Sequence, residues 1–447
     1  MNFDAVKEAL IAEAQRLGLQ EYDVFFMESE SSSTETLKDE ISSFSSGVGG
    51  GVCFRCIVGG HMGCASTELL TEEEMKALVA RAVANAEVIE NRDEPIIFEG
   101  SEQYATPTAK PYMRPETEHM KALALSLQKK TYEQNEYIAD GTQSGVFCER
   151  VSMQFLNSRG LSLSHMAGTS GAYVQAVVCK DGESQAAFDF GVGTDPDALS
   201  ELPKTVTEEA MATLGATEIA SGKYDVIFSG KQMRAMLSAF ASTFSAKNAH
   251  LGLSLLKGKE GETIASNRVT LMDDPLYEGS PMQLPIDGEG VATYRKAVIE
   301  NGVLKTLLYD LSTAKRAGVT TTGNGQRSSY SDPVSISPYH FYLAGGDCSE
   351  DALMQTLGDG IYITELKGLH AGANAVTGDF SIESAGFMVR EGKRAEAVRS
   401  FTVAGNFFSL LKEIEALSNK VHFGMPSGFT VYGAPNVLVR NMSIAGK

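Results

Sequence analysis

The sequence predicts an α+β protein. Helix-plus-antiparallel-sheet units are expected at the N-terminus and in the middle, followed by a larger, mostly β C-terminal domain with a buried helix. Three observations carry this reading. Apolar residues recur at helical spacing in a few segments, while most of the last half reads as strands. The pairs Gly59-Gly60, Asp181-Gly182 and Asn301-Gly302 separate strand-like runs, as hairpin turns do. And 447 residues exceed a single ordinary core, which leads to units at 1–110, 111–220 and 221–447.

The first helix starts after Asn2, a plausible N-cap, and carries Phe3, Val6, Leu10, Ala14 and Leu17 on one face before Gly18 stops it. A strand follows at Tyr22–Met27. Gly47–Gly51 reads as a flexible approach to the hairpin Val52–Val58/His61–Ser66, and Ser29–Ser33 as a short low-complexity tract. The second helix opens at Thr71, with Glu74 three residues on as in a capping box, and runs to about Ile89. Pro95, Pro107, Pro111 and Pro115 mark residues 91–115 as a linker or extended crossing segment. The middle unit then has a helix at Thr117–Tyr132, strands turning at Asn157–Gly160 and Lys180–Glu183, and a helix at Asp197–Leu214. The last unit begins with a strand at Tyr224–Phe228. The helix Lys231–Phe244 follows, with Met233, Met236, Leu237, Phe240 and Phe244 aligned. A hairpin spans Ala297–Ile299 and Val303–Tyr309, and short helices are expected at Ser349–Leu357 and Asn406–Leu417.

Composition narrows the function. The chain carries 38 basic against 57 acidic residues, a formal charge of −19, with no basic cluster to offset it, so nucleic acid is not an expected partner. No run nears the roughly 18 apolar residues that span a bilayer, and Met1-Asn2-Phe3-Asp4 does not open a signal peptide. The six cysteines then read as cytoplasmic thiols.

Several motifs invite chemistry. Cys53-x2-Cys56-x4-His61-x2-Cys64 has the spacing of zinc ligands. On a strand, however, Cys53 and Cys56 face opposite sides, which favours thiols buried in a sheet. The seven histidines are isolated, none followed by Glu, so no zinc-protease helix is formed; His250 and His370 read as structural. Gly252–Lys259 is one residue too long for a phosphate loop and is followed by Glu260. Asp273-Asp274 and Asp287-x-Glu289 suit a cation or acid/base work, and equally suit turns.

The ordered series Gly51–Cys56, Gly63–Ser66, Asn157-Ser158-x-Gly160, Asp274-Pro275, Asp287–Val291, Thr322-Gly323-Asn324, Thr377–Gly386 and Asn441–Gly446 resembles the TldD/PmbA family over nearly the whole chain. The resemblance implies a family of zinc metallopeptidases, also labelled modulators of DNA gyrase. Its active branch carries His-Glu-x-x-x-His on the helix after the first C-terminal strand, and a later cysteine. Here that helix reads Met233-Arg234-Ala235-Met236-Leu237-Ser238, and the last cysteine is Cys348, so no zinc ligand carries over. The chain therefore resembles the PmbA (TldE) branch. The implied role is a non-catalytic subunit of a cytoplasmic complex that proteolyses unfolded or extended peptides. No cofactor is expected in this chain, with zinc confined to a TldD-like partner. The alternative is a stand-alone homodimer that binds peptides or ligands without cutting them. Gly378, Asp379, Phe380, Ser381 and Glu383 are the candidate peptide-binding residues, on a strand that either lines a cavity or only packs the sheet, with substrate backbone adding to exposed sheet edges of the C-terminal domain.

Overall fold

The computed structural model describes residues 3–89 and 94–447. The proposed N-cap Asn2 lies outside them. The first half comprises α1 (Phe3–Arg16), β1 (Tyr22–Leu37), β2 (Glu40–Val58), β3 (His61–Thr67), α2 (Glu72–Val88), α3 (Thr117–Tyr132), β4 (Gln143–Asn157), β5 (Ser162–Lys180), β6 (Glu183–Val192) and α4 (Leu202–Ala212). All six strands form one antiparallel sheet in the order β3-β2-β1-β4-β5-β6. The N-terminal and middle units thus contribute three strands each to a common sheet, joined by the β1–β4 ladder from Asp23↔Asn157 to Glu35↔Gly145.

Residue parity along the strands assigns the two faces. Val24, Phe26, Val52, Phe54 and Cys56 lie under α1 and α2, and Val146, Cys148, Val174 and Ala176 lie under α3 and α4. The alternate residues Phe25, Met27, Cys53, Val151, Met153 and Phe155 pack on the other face, against Met282, Leu284 and Tyr339 of the C-terminal half. Both faces of the run Tyr22–Met27 are therefore buried, which explains its unbroken hydrophobicity. Beyond Met27, β1 continues for ten more residues through Ser, Thr and Glu, because β2 and β4 supply ladder partners on both sides. Gly47–Gly51 and Ser29–Ser33 are parts of these strands rather than loose segments.

The proline-bearing segment crosses from one half to the other and is fastened on the way. Asn157 Nδ2 donates to the Phe98 carbonyl at 2.6 Å, Tyr104 OH to the Gly290 carbonyl at 2.9 Å, and the Thr108 N–H to Gln283 Oε1 at 2.7 Å.

The second half begins with β7 (Gly222–Phe228), α5 (Gly230–Phe240) and a 3-10 turn at Ala241–Phe244. It continues with α6 (Ala246–His250), β8 (Leu271–Asp273), β9 (Lys296–Glu300), β10 (Val303–Leu304), α7 (Leu311–Ala317), β11 (Gly325–Gln326), β12 (Ser335–Ile336), β13 (His340–Leu343) and α8 (Glu350–Leu357). The chain ends with β14 (Gly360–Lys367), α9 (Leu369–Gly372), β15 (Asp379–Arg390), β16 (Lys393–Asn406), α10 (Phe407–Glu413), β17 (Ile414–Leu417), β18 (His422–Phe423), β19 (Val431–Ala434) and β20 (Val437–Ala445). One sheet runs β10-β9-β8-β13-β19-β18. The other runs β16-β15-β14-β7-β20-β17, and a further β16–β20 pairing closes β7, β14, β15, β16 and β20 into a barrel. Residues 414–417, expected as helix, pair with β20 instead, so tertiary pairing overrides their local preference.

The expected buried helix is α5. Met233, Met236, Leu237 and Phe240 are fully inaccessible, and Phe240 stacks on Phe407 at 4.5 Å and 9°. Ser229 caps its start by accepting from the Gln232 N–H.

Candidate functional site

A cavity of about 1110 Å³ opens between the edge of the first sheet and the N-terminal end of α5. It exceeds the roughly 300–1,000 Å³ typical of small-molecule pockets. Its walls come from β6 (Ser184–Phe188), Glu209 on α4, the first turn of α5, and β14, β15 and β16 of the barrel, with His422 at one side. β6 ends its sheet, so one row of its backbone N–H and C=O groups has no neighbouring strand.

The α5 end is held rigidly. The Gly230 N–H donates to Asn436 Oδ1 at 2.7 Å, and a Cβ at Gly230 would lie 2.5 Å from the Ala434 carbonyl oxygen and 2.6 Å from the His422 ring. Only glycine permits so close an approach. Gln232 ties α5 to β14: its Nε2 donates to the Thr364 carbonyl at 2.7 Å, and its Oε1 accepts the Leu366 N–H at 3.1 Å. Thr364 is the residue bulged out of the β14–β15 register. Lys231 Nζ reaches Asp189 at 3.0 Å and Glu209 at 3.2 Å, linking the barrel half to the first sheet and its helices. Arg399 on β16 makes a second such link to Glu183, at 3.0 Å. Arg394 lies over the rings of Phe387 (4.4 Å) and Tyr362 (5.2 Å). Burial raises the Tyr362 phenol above its ordinary range, so it stays a neutral wall of the cavity. His422 Nε2 lies 2.6 Å from Glu350 Oε1. Most of these cations are thus paired with carboxylates at or beside the lining, leaving a wall of mixed charge.

The residues singled out in the sequence separate. Glu383 lines the cavity. Gly378 forms the preceding turn at φ +82°. Asp379 accepts from Asn406 Nδ2 at 2.9 Å, and that bond holds its carboxyl below the usual range. Phe380 points inward, edge-on to Phe240, and Ser381 shares the exposed face of Asp379 and Glu383. At Glu383 the backbone pairs on both sides, with Lys367 of β14 and Thr402 of β16, so β15 offers no free edge there for strand addition. The open edge at the cavity belongs to β6.

Cys53 and Cys56 do face opposite sides of the sheet, in different hydrophobic clusters. Cys53 instead approaches Cys64, with the sulfurs 4.0 Å apart.

The carboxylates at 273–289 are buried and committed to turns and ion pairs. Asp287 accepts the N–H groups of Glu289, Val291 and Gly325 at 2.8–3.0 Å. Asp273 binds Lys296 at 3.0 Å and accepts the Tyr339 N–H at 2.7 Å. Glu289 accepts the Leu311 N–H at 2.9 Å. Burial, reinforced by the neighbouring Asp287, pushes Glu289 up to about 8; burial alone pushes Asp287 to about 6. A cavity of about 10 Å³, room for one water, lies beside them against Arg327 and Tyr339. It is too small for substrate.

The family model described as the PmbA/TldA metallopeptidase C-terminal domain matches residues 221–446, and that for domain 1 matches residues 22–86. The chain belongs to the TldD/PmbA metallopeptidase family. Among its relatives, a metalloprotease of Methanothermobacter thermautotrophicus is 31% identical over 66% of this chain and 67% of its own length. A Thermotoga maritima protein described as a candidate modulator of a DNA gyrase superposes with TM-score 0.88 at 28% identity, covering 99% and 100% of the two chains. TldE of Thermococcus kodakarensis shares the fold, with TM-score 0.89 at 22% identity over 99% and 100%.

The family name raises the question of zinc, and the residues present do not fit it. A catalytic zinc takes three protein ligands and keeps a fourth position open. The first turns of α5 carry Gly230, Lys231, Gln232, Met233 and Arg234, with no imidazole or carboxylate. His422 is engaged with Glu350. Among the described residues no three His, Cys, Asp or Glu side chains are grouped so as to hold a metal. Lys231, Gln232, Arg394 and the His422–Glu350 pair carried no motif in the sequence. They meet only because β6, α5, the barrel and the β18 strand converge.

Proposed function

We propose that this chain is a zinc-free, peptide-holding subunit of a cytoplasmic peptidase complex, whose cutting zinc belongs to a family partner bearing His-Glu-x-x-x-His. The observation that carries the proposal is α5. In this metallopeptidase fold it opens onto a peptide-sized cavity while presenting Gly230, Lys231 and Gln232. The open β6 edge supplies unpaired backbone groups for an extended peptide, and the mixed-charge walls accept its side chains. A folded protein does not present a free strand to such an edge, so selection falls on unfolded or extended chains.

The test has two parts. The protein purified alone should contain no stoichiometric zinc and leave an unstructured peptide library uncut, and a TldD-like partner should restore cleavage. Direct binding of fluorescent extended peptides should weaken about tenfold or more in Lys231→Glu, which reverses a charge in the cavity. Zinc-dependent cleavage by this chain alone would overturn the proposal. Peptide binding without any activity in the presence of a zinc-bearing partner would instead establish the stand-alone binding protein.

A further inference from the structure

The Cys53–Cys64 pair is explained neither by packing alone nor by the peptide cavity. Cys53 lies on β2 and is buried in the cluster that joins the first sheet to the C-terminal half, beside Phe25, Met282 and Tyr339. Cys64 lies on β3 and is exposed. The ladder pairs Cys53 with Ser66 and Arg55 with Cys64, so the two thiols are diagonal neighbours across one hairpin, 4.0 Å apart. We propose that Cys53 and Cys64 form a peroxide-responsive dithiol switch, closing to a disulfide on oxidation and reopening with thiol reductants.

Each partner has the environment its step requires. The sulfurs of Cys53 and Cys64 share a hydrogen bond, and the positive charges of Arg55 and Arg327 lie near Cys64; together they lower the Cys64 thiol below its ordinary range, which makes it the nucleophile of the pair. Cys53 stays protonated: its hydrogen bond to Cys64 and its burial raise its pKa, so it waits as the resolving thiol. The Cys64 thiolate attacks one peroxide oxygen. The O–O bond breaks, sulfur takes the hydroxyl and hydroxide leaves. Cys53 sulfur then attacks Cys64 sulfur: the S–S bond forms, the S–O bond breaks, and the Cys53 proton leaves with the hydroxyl as water. Two electrons pass from the two thiols to one peroxide, and the hydroxide takes a solvent proton to give the second water.

Disulfides need Cα atoms roughly 4.4–6.8 Å apart, whereas diagonal partners in a sheet start near 7–8 Å. Closure therefore twists the hairpin, and such strained bonds are the readily reduced, regulatory kind. Arg55, directly opposite Cys64, moves with that twist. It holds the buried Asp23 at 2.9 Å, on the face where the two halves of the molecule meet.

The experiment uses the full-length protein, reduced and then treated with stoichiometric hydrogen peroxide at pH 7. The count of free thiols among the six cysteines should fall by two. Peptide mapping should show Cys53 linked to Cys64, and a thiol reductant should restore both. In Cys53→Ser the reaction should stop at the Cys64 sulfenic acid, trapped by a cyclic 1,3-diketone, while in the native protein the rate of thiol loss to peroxide should rise through an inflection below the ordinary ~8.5. Over-oxidation of Cys64 in the native protein without a linked peptide would overturn the proposal. So would first attack at Cys148 or Cys179, or linkage between two molecules.

Discussion

Replacing Glu289 with Gln should make the protein progressively more stable than the native chain as pH rises from 5 to 8.5. Glu289 is nearly inaccessible, at 6% exposure, and its folded pKa is raised from 4.5 to about 8, first by burial and then by Asp287. The native state therefore keeps a proton that the unfolded chain has released above about 4.5. Stability contributed by that proton is fully present below the unfolded value and is lost as pH rises through 8. At about 1.36 kcal/mol per unit, a rise of this size corresponds at most to roughly 5 kcal/mol, and sharing with Asp287 brings the expected difference to a few kcal/mol. Other groups titrate in this range: His340 is lowered by burial to about 4 and Cys64 to about 6, both giving the opposite slope. They are common to both proteins and cancel in the comparison. The assay is the thermal midpoint of native and Glu289→Gln protein at half-unit pH steps. Glutamine keeps the oxygen that accepts from Leu311, so that hydrogen bond is preserved. A constant offset between the two curves from pH 5 to 8.5 would refute the assignment of a buried, protonated Glu289.

Three further substitutions test the packing. Asp23→Asn removes the carboxylate that Arg55 grips and Arg327 approaches at 3.7 Å; leaving two buried guanidiniums uncompensated should cost about 3–5 kcal/mol, read from urea denaturation. Phe240→Ala, which empties the stack against Phe407, should cost about 3–5 kcal/mol by the same measurement, and a loss under 1 kcal/mol would mean the ring is not the centre of that core. Gly230→Ala should cost about 1–3 kcal/mol in thermal unfolding and weaken extended-peptide binding, because the new methyl group displaces His422 or the Ala434 carbonyl; unchanged binding would separate the α5 end from the site.

Much of this architecture could be read from local signals. Strand parity alone placed Cys53 and Cys56 on opposite faces, and Thr71 caps α2 by accepting the Glu74 N–H, as its sequence indicates. The Gly-Gly and Asp-Gly turns fall where their dipeptides stand, with positive φ at Gly59, Gly60, Asp181 and Gly182. The second half of β1 could not be read, because Ser, Thr and Glu have no apolar alternation. Its order comes from β2 and β4, the latter more than a hundred residues away. The cavity was equally hidden. Glu350 and His422 are 72 positions apart, and nothing at either position marks the other. Asp287 and Glu289 had a turn reading and an acid/base reading. Their hydrogen bonds follow the turn, while their raised pKa values follow from burial that composition does not reveal.

The common sheet also constrains how the chain can fold or be divided. β1 sits between β2 and β4, and its partner strand is made only after the proline-bearing segment has emerged. A nascent or truncated chain ending near residue 110 would expose β1 along the side that β4 covers, thirteen residues of ladder with every second hydrogen-bonding group unpaired. Such an edge recruits other strands, so the isolated first unit should aggregate or swap, whereas in the 447-residue chain β4 covers that edge. Pairing β1 with β4 is therefore a long-range closure, the kind of contact that slows folding by the usual dependence on contact order.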